Sequence, residues 1–458
     1  MATDPVSAPT DTDTAGPSAE GSAADGESRA DSSEAGRPGG PVWRRVAAAW
    51  LPPLVALVAG WSLLAYRSGY HGGALFRPSS YGRWDSGHYL RIARDGYVAV
   101  WHCGGHSLPP HLPPGNYLCG TIGWFPGYPV TMRGLSEITG VSLPMAGLVV
   151  AWVCWYVALV LMWRLLEDSR STLTRWACLL IAAFFPGQVY FAAIFPISLC
   201  IAAVLGCLYA ALRASRPWMA WVGFGSGMVA AASYLTAVVL APALLVAALV
   251  ARGRRLRVVI SALGVAAGFG AVLLAMQLSV GIWNAYFISV RKYQVGVHSP
   301  LETLSARLRP LWTPQPPGLQ FLRVTAAQTL LALCFVALAT LVTLVRMARP
   351  ARASTTAPGT APEEADEPAD GSLRGRWWAA VTARVPAFEL TFLLAMIGVW
   401  LVPYIAGGHA STYRSEAFVV LSVPLLRRLP SWLLVVPLAA AVFVAWRMAP
   451  YFFNGKLM

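Results

Sequence analysis

The residues best suited to chemistry are gathered in Arg83-Trp84-Asp85-Ser86-Gly87-His88-Tyr89-Leu90-Arg91-Ile92-Ala93-Arg94-Asp95-Gly96-Tyr97. If this stretch is helical, Asp85, His88 and Ile92 recur at spacings of three and four and share one face, so an acid and an imidazole point at the same place. A carboxylate so placed can take a proton from an attacking hydroxyl, and nearby arginines can hold an anion. Two simpler readings compete. The segment could be an amphipathic helix lying in the headgroup layer, and Asp85 could be an ordinary helix cap. Asp95, just before Gly96, reads as a turn residue.

The elements that must position this cluster are apolar. With 56% hydrophobic and 12% charged residues over 458 positions, the chain carries many apolar runs of roughly 20 residues separated by short basic punctuation. That pattern predicts an all-α polytopic membrane protein of about eleven spans. The net charge of +14 sits at the ends of the runs, where it reports topology and gives no reason to expect a nucleic-acid partner.

Residues 1–41 hold eight acidic residues, two arginines and almost nothing to bury, so they read as a disordered cytoplasmic tail. Residues 42–350 read as the membrane core, with long outer loops at 67–143 and 281–321. Residues 351–386 form a low-complexity cytoplasmic linker, and 387–458 supply the C-terminal spans. Trp43-Arg44-Arg45 before the first run puts the N-terminus in the cytoplasm and the Asp85 cluster outside.

Carboxylates narrow the choice. Of 21, eight lie in the tail and five in the linker (Glu363, Glu364, Asp366, Glu367, Asp370), and Glu167, Asp168 and Glu389 fall on the inner side. Outer acid-base chemistry is left with Asp85, Asp95, Glu137, Glu302 or Glu416, of which Asp85 has the richest surroundings. Arg291-Lys292 in the second outer loop runs against the charge bias, which an anionic ligand or a headgroup-binding surface would equally explain. Arg414, before a short apolar run, either snorkels to lipid phosphates or binds a ligand's phosphate.

Of seven cysteines, only Cys103 and Cys119 lie outside the apolar runs, and an oxidising exterior predicts a disulfide between them. A metal site from these two with His102, His106 and His111 fits no standard zinc spacing. No metal ligand set or cofactor is therefore called for, and a divalent cation stays an open alternative.

Trp84 to Tyr97, followed by Trp124-Phe125-Pro126-Gly127-Tyr128-Pro129, resembles the first outer loop of the PIG-V family, GPI mannosyltransferase 2-like enzymes of the GT-C superfamily with actinobacterial members. The resemblance implies a GT-C-like helical bundle in the plasma membrane with its active site on the extracytoplasmic face. It implies inverting transfer of a hexose, mannose above all, from a polyprenyl-phosphate-mannose donor to a hydroxyl of a glycolipid, glycan or protein. Asp85 would be the general base. Arg414, with Arg291 or Lys292, would clamp the phosphate, and Arg83, Trp84, His88, Tyr89 and Tyr128 would bind substrate. Membrane lipids are the remaining partners. A lipid or sugar transporter or flippase without transferase activity is the rival, although no internal repeat of the kind such folds use is visible.

Overall fold

In a bilayer an uncharged apolar run has no partner for its peptide groups but itself, so it folds as a helix. Six helices of the computed structural model are long and apolar enough to cross: Val46–Ser68, Leu143–Leu165, Arg255–Val280, Phe321–Ala348, Ala387–Ala406 and Ser431–Phe453. The structure describes residues 42–101, 103, 117–251, 253–348, 386–407 and 412–457. The calls on the tail, on most of the linker and on His102, His106 and His111 lie outside them.

The other expected spans are shorter or broken. Thr172–Ala183, Ile197–Leu212, Met219–Ser233 and Leu235–Val250 are apolar helices below spanning length. The last apolar run before Arg427 divides into Thr412–Glu416, a 3-10 segment Ala417–Ser422 and Val423–Leu426. Prolines explain part of this: Phe184 ends one helix two residues before Pro186, and Pro196 caps the next. The class, an all-α polytopic membrane protein, is unaffected, and the described residues hold one sheet, the antiparallel pair Ala99–Trp101 and Leu118–Gly120.

Helices Met219–Ser233 and Arg255–Val280 approach backbone to backbone. A Cβ added at Gly264 would collide with the Phe224 backbone, and one at Gly268 with that of Met228. In return, Gly223 and Gly227 on the first helix lie against Ser261 and Val265 on the second, the small-residue contact by which helices pack where no hydrophobic force drives them together.

The bundle has two polar ends. One gathers the Ser86–Asp95 helix, the turn at Tyr190 to Phe195, the loop around Lys292 and the Thr412–Glu416 helix. At the other, Glu389 accepts from Arg346 at 2.5 Å and from Arg427 at 2.6 Å, and Asp168 pairs with Arg213. Because Gly268 has no room for a side chain, Gly268→Leu should cost about 1–3 kcal/mol or more by overpacking. Thermal unfolding in detergent checks this, and an unchanged midpoint would mean that the two helices can separate freely.

Candidate active site around Asp85 and Arg414

The site is built on a sharp turn. Trp84 has φ 48°, left-handed backbone that a non-glycine residue occupies at a cost of about 1–3 kcal/mol unless its surroundings fix it. Arg83 does much of the fixing. Its guanidinium donates to the Ser79 carbonyl at 2.7 Å, the Gly82 carbonyl at 3.0 Å, the Tyr70 hydroxyl at 2.9 Å and the Phe453 carbonyl at 3.2 Å. The Ser86 hydroxyl accepts from the Arg83 amide at 3.0 Å and donates to the Ile194 carbonyl at 3.1 Å. A turn pinned at so many points cannot relax into an ordinary helix start.

Asp85 follows at the N-cap position but makes no cap bond to its own helix. Its Oδ2 instead accepts from Nη1 of Arg414. The Asp85 side chain keeps 29% of its exposure and that of Arg414 only 9%, so the carboxylate stands between a buried cation and the open side of the site. Arg414 lies over the rings of Phe195 at 5.0 Å and Tyr190 at 5.8 Å, and its Nε has no hydrogen-bond partner.

Around the pair stand a flat wall and a second cation. The His88 imidazole stacks on Trp124 with centroids 3.6 Å apart and planes 11° from parallel. Burial pushes the His88 pKa below its usual value, opposed by Asp85 and reinforced by Lys292 and Arg91. Lys292 is 3% exposed and has no ion pair among the described residues. Its Nζ contacts Sγ of Cys119 at 3.3 Å, and Cys119 is bonded to Cys103 with Cα atoms 5.7 Å apart. Burial pushes the Lys292 pKa down as well.

The structure brings together Asp85, His88, Lys292 and Arg414, with Trp84 40% exposed beside them. The others named from the sequence are engaged otherwise, although buried Tyr89 stays within electrostatic reach of Asp85 and Arg414. Arg83 spends its donors on carbonyls and a tyrosine, so it holds the turn. Tyr128 is fully buried and donates to the Gly147 carbonyl at 2.7 Å, while buried Tyr89 packs edge-on against Tyr128 and Phe195. Arg291 is exposed, whereas Lys292 beside it turns inward. Among the other outer carboxylates, Asp95 pairs with Arg94 and Glu137 with Arg133 at the surface, and Glu302 is exposed. Glu416 is buried and accepts from Thr329 at 2.6 Å and Tyr404 at 2.7 Å.

Sequence reasoning missed Tyr190 and Phe195 as the rings beneath Arg414, and Tyr234, whose hydroxyl meets Ser415 Oγ at 3.2 Å. Nothing local in the sequence marks Tyr190.

No family model matches the chain, and no curated protein matches it. Two solved structures from Archaeoglobus fulgidus are similar in fold at a TM-score of 0.42. One is the oligosaccharyltransferase AglB in complex with an inhibitory peptide and a dolichol-phosphate, 13% identical, covering 88% of this chain and 56% of its own. The other is an oligosaccharyltransferase complex with Zn and sulfate, 12% identical, also at 0.42, covering 86% of this chain and 53% of its own. The chain thus spans about half the length of these structures' chains.

A buried lysine without a counter-ion is an energetic liability that a neutral side chain of similar length removes. Lys292→Met should therefore stabilise the fold near neutral pH by about 1–3 kcal/mol, read by thermal unfolding. The sign follows from linkage: because the folded state holds this proton less tightly than the unfolded chain, wild-type stability rises with pH from the lowered pKa toward 10.5. The Met variant should lack that rise. A destabilised variant would show that the ammonium is held by favourable contacts.

Proposed function

We propose that the chain is a GT-C-type membrane glycosyltransferase, PIG-V-like, that transfers mannose from a polyprenyl-phosphate-mannose donor to an acceptor hydroxyl on the extracytoplasmic face of the plasma membrane. The observation that carries this reading is Asp85 itself: a partly open carboxylate at a helix start, freed from capping and held by a buried arginine. Its sequence surroundings, Trp84 to Tyr97, are those that resemble the PIG-V family.

In the reaction, Asp85 takes the proton of the acceptor hydroxyl as that oxygen bonds to the anomeric carbon. The bond from that carbon to the donor's phosphate oxygen breaks, its electron pair leaves with the phosphate, and configuration inverts. A single base suffices and no covalent intermediate forms. Growing negative charge on the leaving phosphate needs a cation, and we assign that part to Lys292, a buried cation that acts on His88 and has no ion pair among the described residues. Arg414 takes a different part from the phosphate clamp expected of it. Its bond to Asp85 makes it the residue that orients the base, because a guanidinium presents donors in a fixed plane. The acceptor is a glycolipid, a glycan or a protein, and the lipid donor enters from the bilayer.

Turnover of labelled polyprenyl-phosphate-mannose by the purified protein tests the assignment. Asp85→Asn should lower transfer by about two to four orders of magnitude with little change in donor KM. Arg414→Lys should keep part of the activity, whereas Arg414→Ala should lose at least about tenfold, or about 1.4 kcal/mol of transition-state stabilisation. Near-normal turnover by Asp85→Asn would reduce the pair to a structural ion pair and remove the assignment.

A further inference from the structure

The polar end of the bundle away from Asp85 carries an open cavity of ≈ 720 Å³ that the proposed reaction leaves unused. Five arginines line it against two carboxylates, Asp168 and Glu389, an excess of three positive charges in the size range of a small-ligand site. The carboxylates are already engaged. Glu389 is shared between Arg346 and Arg427 through the same oxygen, Oε1, and Asp168 is bonded to Arg213.

Helix ends in membrane proteins often carry arginine simply as a topology signal, but such arginines sit in open water. These do not all do so. Arg427, in a wall of this cavity, is 3% exposed, and its Nε has no hydrogen-bond partner among the described residues. The same holds for the buried Nε of Arg213. Both guanidiniums face one ring, Phe388, with Arg427 at 4.1 Å and Arg213 at 4.7 Å from its centroid. Two cations on one ring beside a third, Arg346, repel one another, and burial pushes the Arg427 pKa down to about 10 against the pull of Glu389. An anion in the cavity would relieve the repulsion.

We infer that this cavity binds a phosphate-bearing anion, a phosphate ester of a lipid headgroup or free phosphate, separately from the Asp85 site. Guanidiniums suit tetrahedral phosphate oxygens because they offer paired, charge-assisted donors in one plane. Arg254 and Arg428 stand exposed at the cavity mouth, and Arg428 has no ion pair among the described residues.

The test uses the full chain in neutral detergent and reads the unfolding midpoint by tryptophan fluorescence. Phosphatidylglycerol micelles are titrated against phosphatidylcholine, and sodium phosphate against sodium chloride of equal ionic strength. Wild type should show a saturable upward shift with phosphatidylglycerol. The variant Arg254→Gln/Arg428→Gln, altered only at exposed residues, should bind at least about tenfold more weakly. The same shift with inorganic phosphate would identify the phosphate group alone as what is recognised, and a shift with lipid only would identify a headgroup. No shift with either anion, or a variant that titrates like wild type, would overturn the inference and leave these arginines as topology signals.

Discussion

The interaction on which the rest of the site depends is the ion pair of Asp85 and Arg414, two residues 329 positions apart. Neither charge could stay alone in so apolar a chain, because an ion removed from water without a partner costs several kcal/mol or changes its protonation. The pair therefore constrains two segments at once. The turn before the Ser86–Asp95 helix must hold its carboxylate outward, and the Thr412–Glu416 helix must lie beneath it on the rings of Tyr190 and Phe195. Arg83 and Ser86 serve the first constraint by bonding the turn to Ile194 and Phe453, elements that the chain reaches only much later.

Much of this was legible before any coordinates. Spans announce themselves because hydrophobic length is written locally, and Asp85 stood out because carboxylates are scarce. What could not be read is tertiary. That Arg414 meets Asp85, that Arg83 is consumed by carbonyls, and that Lys292 turns in while Arg291 turns out all depend on how distant helix ends come together. The lengths of the individual runs are tertiary too: hydropathy registers that Thr172–Ala183 or Met219–Ser233 is apolar, but not that turns cut such helices short. The family resemblance gave Tyr128 to the substrate, and sequence carries no sign of its bond to the Gly147 carbonyl inside the packing.

Both ends of the bundle hold more positive charge than they pair. Around Asp85 the one carboxylate is taken by Arg414, while Lys292, against the sulfur of Cys119, and Arg91 have no ion pair among the described residues. At the other end cations outnumber their partners and crowd a single phenylalanine ring. Both arrangements sit where helices terminate and backbone bonding is already incomplete.

Trp84 has a consequence of its own. Its backbone conformation is one that glycine adopts without strain, so a chain selected for stability alone would tend to carry glycine there. It carries the bulkiest residue instead, with 40% of the side chain's bearer left open to solvent. What the strained position gains is a broad, flat indole face left open beside Asp85, able to lie against another flat apolar surface.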